Sequence, residues 1–325
     1  MWVVRHMDDY LMIGPRQHLE VLHAGMSTKL GLRDIVFLDK PGETAQFLGW
    51  TITKQSGGFD LSVNAELAAD VIRDEGLTSS TSTRGGTTPG SKDRVVDETP
   101  VSAEEHRYYR TQVGRLLFYG VLRPDMQFGI TQLSKAVHQP TVSDMIALKR
   151  LCKYLKNTMH YVLRLRPVGR KLRVEAWSDA DWAGSHDRRS TSGGIIMVAG
   201  ALVLSFARTQ ATRALSSCES ELYAIGSTAA EAMLVAAFLK EQRLCDEPPL
   251  IHSDSSSALA LARKHGQGRL RHVEVRLLAL QDWQAEGRIR LQKVASEHNL
   301  ADVLTKWVSR LILAALLPQI GLGDS

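Results

Sequence analysis

The sequence predicts a mixed α/β chain organised around a five-stranded sheet with helices packed on it, and three observations lead there. Ala176-Trp177-Ser178-Asp179-Ala180-Asp181-Trp182-Ala183-Gly184 reads as a strand with a carboxylate at its centre. A second extended run, Gly194 to Ala199, follows the polar turn Asp187-Arg188-Arg189-Ser190, the punctuation of a hairpin. Leu222, Ile225, Ala229, Met233 and Ala236 then recur at helical spacing. From there strands and helices alternate, the order that gives a mixed sheet covered by helices.

In chain order, Val3-Val4-Arg5-His6-Met7-Asp8-Asp9-Tyr10-Leu11-Met12-Ile13-Gly14 predicts two apolar strands and a tight turn that thrusts Asp8 and Asp9 outward. Gln46 to Thr53 alternates as a strand, Gly57-Gly58 turns into Phe59 to Val63, and a short helix covers Ala65 to Glu75. Residues 78–100 are rich in Ser, Thr and Gly, bury little apolar surface, and read as a mobile linker. Ser102-Ala103-Glu104-Glu105 is a capping box. The helix it opens runs through Tyr109, Val113, Leu116 and Val121 to Pro124, and a second spans about Asp125 to His138. A third starts near Thr141, with Met145, Leu148, Leu151, Cys152 and Leu155 on one face and Lys149, Arg150, Lys153 and Lys156 on the other. That basic face suits either solvent or a phosphate backbone. From about Leu165 the order is three antiparallel strands, the long helix, a strand at Leu250 to His252, helices around Ala258 to Lys264 and Val273 to Glu286, a strand at Arg288 to Val294, and a helix from Leu300.

The 325 residues suffice for two or more domains, and 44% hydrophobic content is that of a globular protein. A net charge of +5 favours a polyanionic partner modestly. Cys152, Cys218 and Cys245 lack CxxC spacing, which points to a reducing intracellular compartment and away from structural zinc. Arg5, His6, Asp8 and Asp9 break the first apolar run, so no signal peptide is expected. Leu311 to Leu317 is too short to span a bilayer.

An acid inside an apolar strand is costly unless a cation or donors meet it. Three more acids can converge with Asp179: Glu221 in the first turn of the long helix, Asp254 at the end of Pro249-Leu250-Ile251-His252-Ser253-Asp254, and Asp302 at a helix start. Clustered carboxylates call for hard divalent cations, Mg²⁺ or Mn²⁺ and not zinc. Asp181 and Glu219 stand two residues from the chosen acids as rivals, and Asp302 also suits a first-turn acid facing the helix dipole. Cys218 has no paired base and His252 sits at a strand end; both read as packing.

The order strand-Asp, helix-Glu, strand-Asp, helix-Asp resembles ribonuclease H. Ser178 to Gly184, Arg189-Ser190-Thr191-Ser192-Gly193, Leu215 to Glu221 and Leu300-Ala301-Asp302-Val303-Leu304-Thr305-Lys306 resemble the RNase H domain of copia-type retrotransposon polyproteins. Tyr109 to Leu117 and Leu122-Arg123-Pro124-Asp125 resemble the helical block of the same family, and the Asp8-Asp9 hairpin resembles the reverse transcriptase palm, with His6 in place of its aromatic residue. The fold implied is α/β (α+β): an RNase H-like mixed five-stranded sheet with flanking helices, preceded by a truncated palm/thumb remnant and a helical connection. The boundaries implied are residues 1–77 for the remnant, 78–100 for the linker, 101–164 for the connection and 165–325 for the RNase H-like domain.

The resemblance implies metal-dependent cleavage of RNA in an RNA·DNA hybrid, with Asp179, Glu221, Asp254 and Asp302 as catalytic ligands of two Mg²⁺ or Mn²⁺ ions. One ion would activate water and the other stabilise the leaving 3′ oxygen, with Asp179 bridging them. It further implies a proton-shuttle role for His298 and phosphate contacts at Lys149 and Lys153, with 2′-OH selection near Ser178 and Ser217; Arg188 and Arg189 suit either nucleic-acid contact or a solvated hairpin turn. Asp8 and Asp9 lack the polymerase's further metal-binding Asp, so reverse transcription is not expected from this chain alone. Expected partners are the hybrid and an upstream reverse transcriptase segment of the same polyprotein, with no membrane; the expected location is cytoplasmic, in a virus-like particle or nuclear. The alternative is a catalytically inactive nucleic-acid-binding copy or an inert remnant.

Overall fold

Left-handed residues at two turns fold the N-terminal part into hairpins. β1 (Trp2–His6) and β2 (Asp9–Ile13) pair antiparallel with His6 opposite Asp9 and Met7 at φ 51° in the turn. Helix α1 (Arg16–Leu30) follows. Where Gln46 to Thr53 suggests one strand there are two, β3 (Thr44–Phe47) and β4 (Trp50–Gln55), reversing at Leu48 and Gly49 with φ 52° and 78°. Paired positive dihedrals make a type I′ turn. Both arms keep the period of two, so alternation alone does not reveal the reversal. β5 (Gly58–Val63) and α2 (Ala65–Asp74) complete this stretch. This computed structural model describes residues 1–77, 86–93, 96–167, 172–184, 187–264 and 275–324.

Helices α3 (Ala103–Gly120), α4 (Pro124–Lys135) and α5 (Val142–Asn157) form the central block. The Ser102/Glu105 capping box is present, with the Ser102 N–H donating to Glu105 at 2.9 Å. Tyr109, Leu116, Met126, Leu148, Leu151 and Leu155 bury against Val71 and Ile72 of α2. Between α3 and α4 the buried Arg123 donates to Asp125 at 2.9 and 2.7 Å, and Tyr154 Oη donates to the same carboxylate at 2.7 Å.

Within the expected linker, residues 78–85 and 94–95 lie outside the described residues. The rest is tied to α5. Asn157 donates to the Gly86 carbonyl at 2.9 Å, Arg150 to Thr88 Oγ1 at 3.0 Å, and Ser143 Oγ accepts from the Asp97 N–H at 2.6 Å. Those polar ties, with Pro89 buried and Gly90 against the Trp307 ring, hold it in place, and composition does not register such ties.

Downstream come β6 (Tyr161–Leu165), β7 (Val174–Asp181), β8 (Thr191–Val198), β9 (Ala201–Thr209) and α6 (Ser217–Glu241). Then follow β10 (Leu250–Ser253), α7 (Ser256–Ala262), α8 (Val275–Ala285), β11 (Arg290–Lys293), α9 (Arg310–Leu316) and β12 (Leu322–Asp324). The helix expected from Val273 is seen from Val275, its first two positions lying outside the described residues. The helix expected from Leu300 is a 3-10 run, Leu300–Leu304.

One sheet has the order β11-β10-β7-β8-β9, antiparallel through β7, β8 and β9, with β10 parallel to both β7 and β11. This is the mixed five-stranded sheet expected. By length and composition α6 would suffice to cross a membrane. Its Leu222, Ile225, Ala229 and Ala232 bury in one core with Val174, Ala176 and Ile196 of the sheet, while Leu234 and Phe238 are exposed.

The second sheet, β12-β6-β5-β4-β3, joins residues 44–63, 161–165 and 322–324. It runs across the boundaries drawn from sequence. Helix α4 also docks on the first sheet, through Gln127 Nε2 to Ser205 Oγ at 2.9 Å and Thr131 Oγ1 to the Ala207 carbonyl at 2.9 Å, and its Phe128 meets Trp307 edge-on at 4.6 Å.

Candidate active site

Parallel pairing of β7 with β10 builds the site. Ser178 is opposite Ser253, so Asp179 and Asp254 stand side by side where the strands end. Helix α6 packs across β7 and β8 and brings Glu221 down from its first turns. Oxygens of Asp179, Glu221 and Asp254 all lie within 4.8 Å of one another. Asp302 is outside this trio, on the 3-10 run beside it, and is joined to it by a cation. Lys306 Nζ is 2.9 Å from Asp302 Oδ1 and 3.4 Å from Asp179 Oδ2. Thr305 Oγ1 donates to that same Asp179 oxygen.

Asp179 faces Gly193 across the sheet, and that glycine lets the 300–305 segment come close. A Cβ on Gly193 would sit 2.7 Å from Thr305 Cγ2 and 2.8 Å from Leu304 Cβ. Gly193→Ala should therefore cost about 1–3 kcal/mol by overpacking, read as a fall in the urea midpoint with an unchanged slope. Asn299 anchors the other end, donating to the Ser178 carbonyl at 3.1 Å and accepting from the Ala301 N–H at 3.2 Å.

Burial drives the electrostatics. It lifts the Asp179 carboxyl above its ordinary range, opposed by the Lys306 charge and the Thr305 hydroxyl. Glu221 is pushed up to about 9, by burial first and then by Asp179 and Asp254. Asp302 rises to about 6, by burial and then Asp179. Against burial, which favours the neutral amine, Asp179 and Asp302 hold Lys306 above the usual lysine value. Glu221 Oε2 is buried without a hydrogen-bond partner, and a set of carboxylate oxygens suits a hard divalent ion.

The rival acids have structural work. Glu219 is buried and accepts from the Leu215 N–H at 2.8 Å and from Tyr223 Oη at 3.2 Å, next to the Ser216 cap of α6. Asp181 accepts from the Thr191 N–H at 2.5 Å. His252 stacks on Trp177 at 4.8 Å. Cys218 is a free, half-buried thiol.

Other predicted residues lie apart from the trio. Asp8 and Asp9 are exposed at the tip of the β1–β2 hairpin and join no metal-binding group among the described residues. Arg188 is exposed at φ 59°, and Arg189 pairs with Asp187 at 3.3 Å while its N–H donates to the same carboxylate. Lys149 is exposed, whereas Lys153 is half-buried with Gly86 against its backbone, so the chain's own segment covers part of that basic face. His298 is exposed in the short turn before Asn299. Ser178 is fully buried and donates to the His252 carbonyl at 3.3 Å, so its side chain is not presented to a substrate.

Thr305, Lys306 and Asn299 were not predicted. Lys306 follows Asp302 by four residues, a pairing distance on a helix, and Asn299 precedes a helical turn as a cap does. Both signals were there to find.

No protein-family model matches the chain. It is 31% identical over 216 residues to the retrovirus-related Pol polyprotein from transposon RE1 of Arabidopsis thaliana, covering 66% of this chain and 15% of that one. Against the corresponding polyprotein from transposon TNT 1-94 of Nicotiana tabacum it is 24% identical over 314 residues, covering 94% of this chain and 23% of that relative. The chain thus spans under a quarter of these relatives' lengths. The foamy viral protease-reverse transcriptase, solved in complex with an RNA/DNA hybrid, shares the fold at TM-score 0.52 and 12% identity over 88% of this chain and 34% of that one. Over much of its length, then, the chain is similar to retrovirus-related Pol polyproteins of copia-type transposons.

Proposed function

We propose that the chain is a retroelement-derived ribonuclease H that cuts the RNA strand of an RNA·DNA hybrid, joined to an incomplete RNA-directed DNA polymerase. One observation carries this reading: Asp179, Glu221 and Asp254, from three separate elements, place oxygens within 4.8 Å of one another. Gathering acids around the buried Asp179 is costly unless a cation shares their charge. Asp179, Glu221 and Asp254 would hold one ion, and Asp302 with Asp179 a second. When bound, Mg²⁺ or Mn²⁺ supplies Lewis acidity to the attacking water and to the leaving 3′ oxygen. The chain's own part is to fix the carboxylates. Thr305 orients Asp179 by donating to it, Lys306 holds Asp302 and Asp179 at one charge, and Asn299 pins the 3-10 run to β7.

The test is incubation of the full 325-residue chain with an end-labelled RNA·DNA hybrid in Mg²⁺ or Mn²⁺, with a chelator control. Cutting of RNA in the hybrid, absent with chelator and absent on duplex DNA, is expected. Retention of hybrid without cutting would place the chain with the inactive binders, and neither cutting nor retention with the inert remnants. Asp8 and Asp9, exposed and joined to no metal-binding group among the described residues, lead to a second expectation: no primer extension by this chain alone.

A further inference from the structure

The acid site already contains a cation, and it is part of the polypeptide. Asp179 is shared between two groups: on one side the trio with Glu221 and Asp254, on the other the Lys306 ammonium, which also meets Asp302 at 2.9 Å. That is the layout of a carboxylate bridging two cations, as two-metal sites require with the ions roughly 4 Å apart. Resting on the reading of this cluster as a metal centre, we propose that the Lys306 ammonium holds the second cation position in the nucleic-acid-free protein. The site then takes one divalent ion tightly and admits a second only when Lys306 swings aside.

Three features support this. The main chain around Lys306 is anchored on both sides, by Thr305 on Asp179 and by Trp307 edge-on to Phe128 of α4. The lysine side chain is nonetheless 41% exposed, so its flexible stem has solvent to move into. With all four carboxylates ionised, the Lys306 ammonium, paired with Asp179 and Asp302, leaves three negative charges, which a single dication reduces to one. A second dication would meet the ammonium at close range and be repelled. An incoming phosphate supplies an acceptor that draws the ammonium off and the negative charge that accommodates the second ion.

Mn²⁺ titration of the full chain without nucleic acid, with free Mn²⁺ read by electron paramagnetic resonance, tests the proposal. The wild type and Lys306→Arg should bind one ion tightly and a second at least about tenfold more weakly. Lys306→Met should bind two ions of similar affinity, and Lys306→Gln provides the same charge removal with a polar side chain should the Met variant fold poorly by circular dichroism. Equal counts and affinities for wild type and the neutral variants overturn the inference and leave the nuclease reading standing. A tight single ion in the wild type, two in Lys306→Met and no hybrid cleavage would do the reverse. No tight ion in any variant removes both.

Discussion

Asp179→Asn is expected to reduce metal-dependent hybrid cleavage by roughly 10³-fold or more, the loss of about 4 kcal/mol of transition-state stabilisation. Asp179 is the carboxylate on which everything in the site converges: it neighbours Glu221 and Asp254, accepts from Thr305 and faces Lys306. An amide of the same shape keeps the packing and can still accept from Thr305, but it removes the charge that shares an ion with the trio. The tight Mn²⁺ ion should be lost together with activity. Because burial already disfavours the ionised form of Asp179, the urea midpoint of the metal-free variant should not fall, which separates loss of chemistry from loss of fold. Cleavage at the wild-type rate by this variant would exclude the acid cluster as the catalytic centre.

The second large effect is a coupling of pH, metal and stability. Without metal, Glu221 stays protonated up to about pH 9 and Asp302 up to about 6. Both folded-state values lie above the unfolded carboxyl values near 4. The stability these groups contribute is therefore full below about pH 4 and is lost as pH rises, through 6 for Asp302 and through 9 for Glu221. The loss should be on the order of a few kcal/mol across that window. A bound divalent ion needs Glu221 ionised, so binding near neutral pH should release about one proton. Thermal unfolding at several pH values with and without Mn²⁺ reads the first, and calorimetry in buffers of different ionisation heat reads the second. Metal-free stability that is flat from pH 5 to 9, with no proton release on binding, would contradict the burial of Glu221.

How far the sequence carried depends on whether the signal was local. The strand–helix order of the first sheet and the helical character of α6 follow from periodicity. An acid on an apolar element is anomalous, but that alone does not separate Asp179 from Asp181 or Glu221 from Glu219; the match to the RNase H motif does. Asp302 rests on the motif alone, since a first-turn acid also suits the helix dipole, and its oxygen meets Lys306. The second sheet was not legible. Its strands β5 and β6 are separated by about a hundred residues, and a pattern of alternation says which face is buried but not which distant strand supplies the partner. The polar ties of residues 86–93 and 96–100 leave no periodic hydrophobic trace, and Lys149 and Lys153 look equivalent on a helical projection although the chain's own segment lies over only part of that face.

The pairing of β12 with β6 has a consequence for biosynthesis. Leu322 must reach Leu163, so the ribosome has to finish residues 322–324 before that ladder can close. Until then β6 presents an open row of amide and carbonyl groups, the kind of edge that recruits foreign strands. A nascent chain stalled shortly before Leu322 should be held by chaperones or clump with its neighbours, although every residue around the acid cluster has already been made.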